Sequence, residues 1–266
     1  MDDSAEKRLP EASARFLLRR LHSISGVLPL GLFLVLHLGS QSRALNGQQS
    51  FDERVRDVSS TPYMAFLEVA FVMLPLLFHA LYGVKLSFEG RSNINKYPTQ
   101  RNWMYLAQRV TGMLAFAFIV WHLSEYWLPR MRGQLDPALF YPTLCKNLST
   151  TSLGLPLVAL GYMFGIAACV FHLANGLWGF CLTWGLAVTV RSQRVLATVF
   201  GLVGLFLFFV GANTAIYFAT GSRLALFGVP RGNEAALTRT CEDALFPPLS
   251  APTGSPPGGA KGPASP

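Results

Sequence analysis

The sequence predicts an all-α membrane protein with five transmembrane helices, and three observations carry that expectation. Of its 266 residues 51% are hydrophobic and only 14% charged, with a mean hydropathy of +0.36. A soluble domain carries about a quarter charged residues, so this chain has too few to cover its surface unless lipid replaces water over much of it. The apolar residues fall into five long runs separated by polar stretches. The basic residues, Lys+Arg 22 against Asp+Glu 14 for a net charge of +8, gather in short clusters between those runs. Such clusters report membrane orientation and call for no nucleic-acid partner.

A bilayer core about 30 Å thick takes roughly 20 apolar residues in helix, because a helix satisfies every backbone polar group within itself. The runs that meet this test extend from Leu21 to Leu38, Tyr63 to Phe88, Tyr105 to Leu128, Leu153 to Val188 and Val195 to Ala219. The first follows a charged segment, residues 1–20, and no small-residue cleavage pattern comes after it, so this span is expected to stay. The fourth is longer than one crossing needs and is expected to tilt or project. Lys7, Arg8, Arg15, Arg19 and Arg20 precede the first span, Lys85, Arg91, Lys96, Arg101 and Arg109 surround the second connection, and Arg191 and Arg194 the fourth. That side is assigned to the cytoplasm. The five-span domain, 21–219, then places residues 220–266 outside, where a segment ending PPLSAPTGSPPGGAKGPASP is too poor in apolar residues to bury a core and is expected to be disordered.

None of the four cysteines shows C-x-x-C spacing. Cys145 and Cys241 are both expected outside, where a bridge can form, the alternative being two free thiols. Cys169 and Cys181 read as small packing residues of the fourth span.

Four of the five histidines, His37, His79, His122 and His172, fall one on each of the first four spans. Ionisable groups are costly at that depth and mark functional sites; the plain alternative is a histidine bonded to a neighbouring carbonyl. Depth sorts them into two layers about 10–15 Å apart at 1.5 Å per residue, His79 with His172 toward the cytoplasmic side and His37 with His122 toward the outer side. Facing imidazoles from different helices are natural axial ligands for a b-type haem held without covalent attachment. Zinc would want four ligands converging on one point, which two layers oppose. Gly31, Gly83, Gly112, Gly165 and Gly176 could clear room for a porphyrin or serve helix packing. His22, at the inner boundary of the first span, is either a solvated interfacial residue or, with Arg19, Arg20 and Arg109, a partner for a haem propionate or a docked subunit.

The segments RLHSISGVLPLGLFLVLHL, FHALYGVKLSFEG, RNWMYLAQRVTGMLAFAFIVWHL and FHLANGLWGFCLTWG resemble, in the same order, the five-helix di-haem cytochrome b subunit of the succinate dehydrogenase and fumarate reductase family. The likeness runs roughly from Arg15 to Ala219. It implies a di-haem core of four helices plus a fifth, with two b haems on the pairs that depth suggested. It also implies a flavoprotein and an iron–sulfur protein docked on the cytoplasmic face of a bacterial inner membrane. Electrons would pass from succinate through flavin and iron–sulfur clusters to the inner haem, the outer haem and a quinone, menaquinone rather than ubiquinone. Succinate oxidation itself would lie on a partner subunit.

Quinone reduction consumes protons, so carboxylates near the outer pair are candidates. Glu125, one turn beyond His122, is the first, the alternative being a glutamate that faces water or pairs with Arg130; Glu68, Asp52 and Glu53 follow. Some fumarate-reducing members carry a glutamate two residues before the histidine of the fourth helix. Here that position is Val170, which favours succinate oxidation as the working direction. Competing readings are the di-haem anchor of another respiratory dehydrogenase, such as formate dehydrogenase or hydrogenase, which the motif order opposes, and a transporter with a histidine proton relay, which an odd span count without an evident inverted repeat does not favour.

Overall fold

A computed structural model describes residues 3–224, and within them the expected five membrane-length helices are present. They are α1 (Ser13–Asn46, continuous with a helix that starts at Asp3), α3 (Met64–Glu89), α4 (Gln100–Met131), α6 (Leu157–Thr183) and α7 (Val190–Thr220). Two shorter helices, α2 (Gln48–Ser59) and α5 (Phe140–Ser149), lie in the connections after α1 and α4. No strand is present among the described residues beyond a single bridge between Ser152 and Leu155. Residues 225–266, with Cys241, lie outside the described residues.

Helix α6 is apolar all round, as suits a helix with neighbours on most sides. It packs along α4 and α7 and meets α1 near Gly31; α1 in turn contacts α3 and α7, and α3 reaches α4. The helices α1, α3, α4 and α6 therefore close a ring, with α7 against its α6–α1 side. Inside the ring runs a cavity of ≈ 1590 Å³ lined by residues from all four helices, beyond the roughly 300–1,000 Å³ of an ordinary ligand pocket. Helix α3 has no buried residue, because its inner face looks onto this cavity and its outer face onto lipid.

The fourth apolar run is not one long helix. It begins late, since Leu153 and Gly154 have positive φ and Pro156 caps the helix, and it stops at Thr183, with Gly185 in the left-handed region at φ 73. Thr189 and Ser192 then cap α7 reciprocally, each side chain accepting the other's backbone N–H at 3.1 Å. At 27 residues, about 40 Å at 1.5 Å per residue, α6 still exceeds a core about 30 Å thick, by less than the whole apolar run would. Conversely, the charged stretch before the first span is helical from Asp3 onward, in keeping with its Ala, Glu, Arg and Leu content.

Three of the spans contain a widened π turn, Gly26–Gly31, Val69–Met73 and Leu123–Trp127, and each holds a proline or ends two residues before one: Pro29, Pro75 and Pro129. A proline offers no N–H and crowds the preceding turn, and a wider turn absorbs both effects. The third opens immediately after His122.

The densest packing sits at the end of the bundle away from the N-terminus, the far end. Ala44, Leu45, Phe51, Tyr126, Tyr141, Cys145, Leu148, Ala159, Tyr162, Ala215, Tyr217 and Phe218 form one buried cluster. Helices α2 and α5 thus form a lid over the bundle: Phe51 lies 5.6 Å from the Tyr141 ring and 6.0 Å from Phe218, and the Tyr141 and Tyr217 hydroxyls are 3.1 Å apart. Cys145 is buried there and held in a disulfide, whereas Cys169 and Cys181 are free thiols; Cys241, named as its expected partner, is outside the described residues.

Replacing Phe51 by alanine is expected to cost about 3–5 kcal/mol, the loss typical of a fully buried aromatic, while Leu153→Ala, at 97% exposure, should stay within about 0.5 kcal/mol; thermal unfolding in detergent compares them. On the same helix, burial pushes the Asp52 carboxyl above its ordinary range, opposed by a bond from Gln48 and by Arg56, and its Oδ1 has no partner. A raised carboxyl pKa means that ionisation costs stability, a cost absent below the ordinary carboxylate range and complete above the raised value. Asp52→Asn should therefore raise the melting temperature at neutral pH and lose that advantage in acid.

Candidate functional site

The histidines that the sequence singles out converge in the cavity as two pairs, not as a quartet. The ring centroids of His79 and His172 are 6.1 Å apart, with planes at 87°; those of His37 and His122 are 5.9 Å apart, with planes at 74°. Metal–imidazole bonds run about 2 Å, so a metal ion held between two imidazoles separates their centroids by roughly 6 Å. Both pairs have that spacing.

Ring tautomers decide whether the imidazoles can ligate. His79 places Nδ1 3.0 Å from the His22 carbonyl and His172 places its Nδ1 3.0 Å from the Gln108 carbonyl. A carbonyl only accepts, so each Nδ1 carries the proton and each Nε2 keeps a lone pair, the arrangement a metal ligand needs. The Gln108 amide agrees: its Nε2 donates to the His172 carbonyl at 3.0 Å and lies 3.4 Å from His172 Nε2. Asn175 fixes Gln108 from the other side, donating to its Oε1 at 2.8 Å. At the far-end pair, His122 Nδ1 faces the Tyr162 hydroxyl at 3.1 Å.

Glycine makes room for the rings at two positions. A β-carbon on Gly26 would collide with the His79 ring, and one on Gly112 would stand 2.8 Å from His172. Gly26 to His37 and Gly112 to His122 are then independent measures along α1 and α4. At 1.5 Å per residue both put the pairs roughly 15 Å apart. Of the other glycines expected there, Gly83 faces His22, whereas Gly31, Gly165 and Gly176 face Leu173, Phe118 and Gln108 and serve helix packing.

His22 is not a solvated boundary residue. It is half-buried in the cavity, its ring stacked on His79 at 4.0 Å and 12°, and its Nδ1 is buried without a partner. Arg19, Arg20 and Arg109 line the same end of the cavity. Arg20 donates to the Thr183 carbonyl at 2.7 Å and lies over the Trp184 ring, and Arg109 donates to the Ser87 carbonyl. Both therefore cap the near ends of spans, where positive charge is favoured, while Arg109 Nε remains buried and unpartnered.

The candidate carboxylates separate as well. Glu68 pairs with Arg130, and both line the far end of the cavity. Glu125 does not pair with Arg130; it accepts from Trp121 Nε1 at 3.2 Å and from Asn147 Nδ2 at 3.4 Å, away from the cavity. Val170 is buried against Leu38 and Leu207.

Sequence reading missed Gly26, Gln108, Asn175, Tyr162 and Asn147. A glutamine and an asparagine inside spans are themselves signals, but nothing along the chain says which imidazole they face.

No family model matches the chain, and no solved structure matches it. It is 36% identical to the succinate dehydrogenase cytochrome b558 subunit of Bacillus subtilis (strain 168) over 204 residues, which make up 76% of this chain and 96% of that protein. At such identity across nearly the whole of the relative, the chain belongs to the family of succinate dehydrogenase cytochrome b558 subunits.

Proposed function

We propose that this chain is the electron-transferring membrane anchor of a succinate:quinone oxidoreductase, with His79 and His172 holding one b haem and His37 and His122 a second. The observation that carries the reading is the pair of imidazole couples, each at the spacing of a shared metal ion and each drawn from two helices of one ring. When bound, the two haems would supply one-electron carriers.

The protein's own residues prepare that site. The His22 and Gln108 carbonyls hold the Nδ1 protons of His79 and His172 and so leave each Nε2 with its lone pair. His22 Nδ1 and Arg109 Nε, both buried without partners, supply hydrogen-bonding capacity for propionates at the near end, with Arg19 and Arg20 adding positive charge. The near end faces the cytoplasm in this reading, since it gathers most of the basic connections, and there the flavoprotein and iron–sulfur subunits dock.

At the far end a quinone, menaquinone by family likeness, is placed at the cavity mouth beside Glu68. The Arg130 guanidinium orients that carboxylate, whose Oε atoms can hold a proton for a quinone oxygen. Glu125, bonded to Trp121 and Asn147 and off the cavity, is the lesser candidate. Helix α6 carries no carboxylate, and Val170 is sealed in apolar packing, so this helix offers no acidic side chain to carry a compensating proton across the bilayer.

Replacement of His79 or His172 by alanine should leave one haem per chain, the far-end one, and His37→Ala or His122→Ala should leave the other. Haem-to-protein ratio and redox titration read this directly, and loss of both haems from every single replacement would argue against separate pairs. Charge moved outward exchanges about 2.3 kcal/mol per 100 mV with the membrane potential. Succinate:menaquinone activity in sealed vesicles should therefore fall when an uncoupler collapses that potential, and indifference to the uncoupler would count against transfer without a matching proton.

A further inference from the structure

The two histidine pairs are supported by different chemistry. At the near-end pair both Nδ1 atoms meet backbone carbonyls, at 3.0 Å each, which no side-chain substitution at those positions alters. At the far-end pair His37 makes no hydrogen bond among the described residues, and His122 meets a side chain, the Tyr162 hydroxyl, at 3.1 Å. This second support can be removed by mutation without touching a ligand, whereas at the near end the Ser25 hydroxyl, 3.4 Å from His79 Nδ1, only adds to a carbonyl bond.

Tyr162 is itself held firmly. It is 6% exposed, its ring contacts Phe118 at 5.3 Å and Trp121 at 5.1 Å edge to face, and its hydroxyl interacts with that of Tyr126. Asn147 of α5 donates to the Tyr126 hydroxyl at 3.1 Å and to Glu125 at 3.4 Å. A string of polar groups therefore runs from His122 through Tyr162 and Tyr126 to a residue on the far-end lid. Since a hydroxyl can accept from Nδ1–H while donating onward, the string strengthens the acceptor that His122 sees. An acceptor on Nδ1–H fixes the ring and raises the basicity of Nε2, and a more basic ligand favours the oxidised metal.

We propose that Tyr162 is the positioning residue of the far-end site: its hydroxyl orients His122 and lowers the reduction potential of the group that His37 and His122 hold, without acting on the near-end pair. Asn147 supports it from α5 through Tyr126. The inference rests on the di-haem reading, and its test is made in the assembled complex only after two haems per chain have been counted, so that failure of that reading appears first and separately.

The experiment is a redox titration of Tyr162→Phe, Tyr162→Gln and Asn147→Leu complexes against the wild type, with absorption and paramagnetic-resonance spectra of each haem. Phenylalanine keeps the ring packing and removes the acceptor. The far-end potential should shift upward and the ligand-field signature of that haem alone should change, with Tyr162→Gln, whose amide oxygen can accept, moving back toward the wild type and Asn147→Leu shifting in the same direction by less. Selective loss of the far-end haem in Tyr162→Phe, restored in Tyr162→Gln, would support the same role. Unchanged potentials and spectra in Tyr162→Phe would overturn it, as would equal shifts or losses at both haems, which mark a general packing defect.

Discussion

An N–H group inside a bilayer has no water to bond, so an imidazole there is costly unless the protein itself offers an acceptor, and both rings of the near-end pair find one. That requirement organises this molecule. His79 satisfies it with the carbonyl of His22 on α1, and His172 with the carbonyl of Gln108 on α4. In each case a side chain on one helix is tied to the backbone of its neighbour. The same bonds that leave Nε2 free thus join α3 to α1 and α6 to α4 across the ring. Ligand preparation and helix association are one set of contacts, in a setting where lipid gives apolar helix faces little reason to associate.

The cost of such a centre is a bundle with a gap in its middle. Apolar spans of this length would pack more closely if their interior were filled with leucine and valine, yet four of them stand around a cavity of ≈ 1590 Å³ and α3 buries none of its residues. Stability is gathered at the far end instead, where Phe51, Tyr141, Cys145, Leu148, Tyr217 and Phe218 close over the bundle. The lid comes from the connections, and it holds the α1, α4, α6 and α7 ends in place while the interior stays open for a large ligand.

Much of this was legible in the sequence, and the boundary of what was legible has a physical cause. Position along a helix is simple arithmetic, so depth sorts the histidines into the same couples whose ring centroids lie 5.9 and 6.1 Å apart. Rotation about a helix is harder to read, and π turns after His122 and beside Pro29 shift it further. Gln108, Asn175 and Tyr162 therefore stayed anonymous, since their meaning depends on which neighbour they face. A Glu125–Arg130 pair was one alternative that proximity in sequence left open, but five residues along a helix is roughly 140° around it at 3.6 residues per turn, and Arg130 bonds Glu68 on another helix. The helices α2 and α5 were hidden because short amphipathic segments owe their helicity to tertiary packing more than to propensity. The ends of the fourth run were set too wide because hydropathy does not register a left-handed glycine, and Gly185 ends that helix whatever its neighbours' polarity.

The difference between the two ends follows from what each must do. At the near end the Nδ1 atoms of both histidines meet backbone carbonyls, which no single side-chain change removes, with Ser25 Oγ also 3.4 Å from His79 Nδ1; in the proposed reading that fixed geometry suits a site that must match separate subunits. At the far end the support of His122 is a hydroxyl within a polar string that reaches the lid, close to where a small, mobile quinone is proposed to react. A ligand held through side chains can be adjusted by changes in those side chains without disturbing the bundle. In the proposed reading the protein thus keeps fixed contacts where it would meet large partners and adjustable ones where it would meet a quinone.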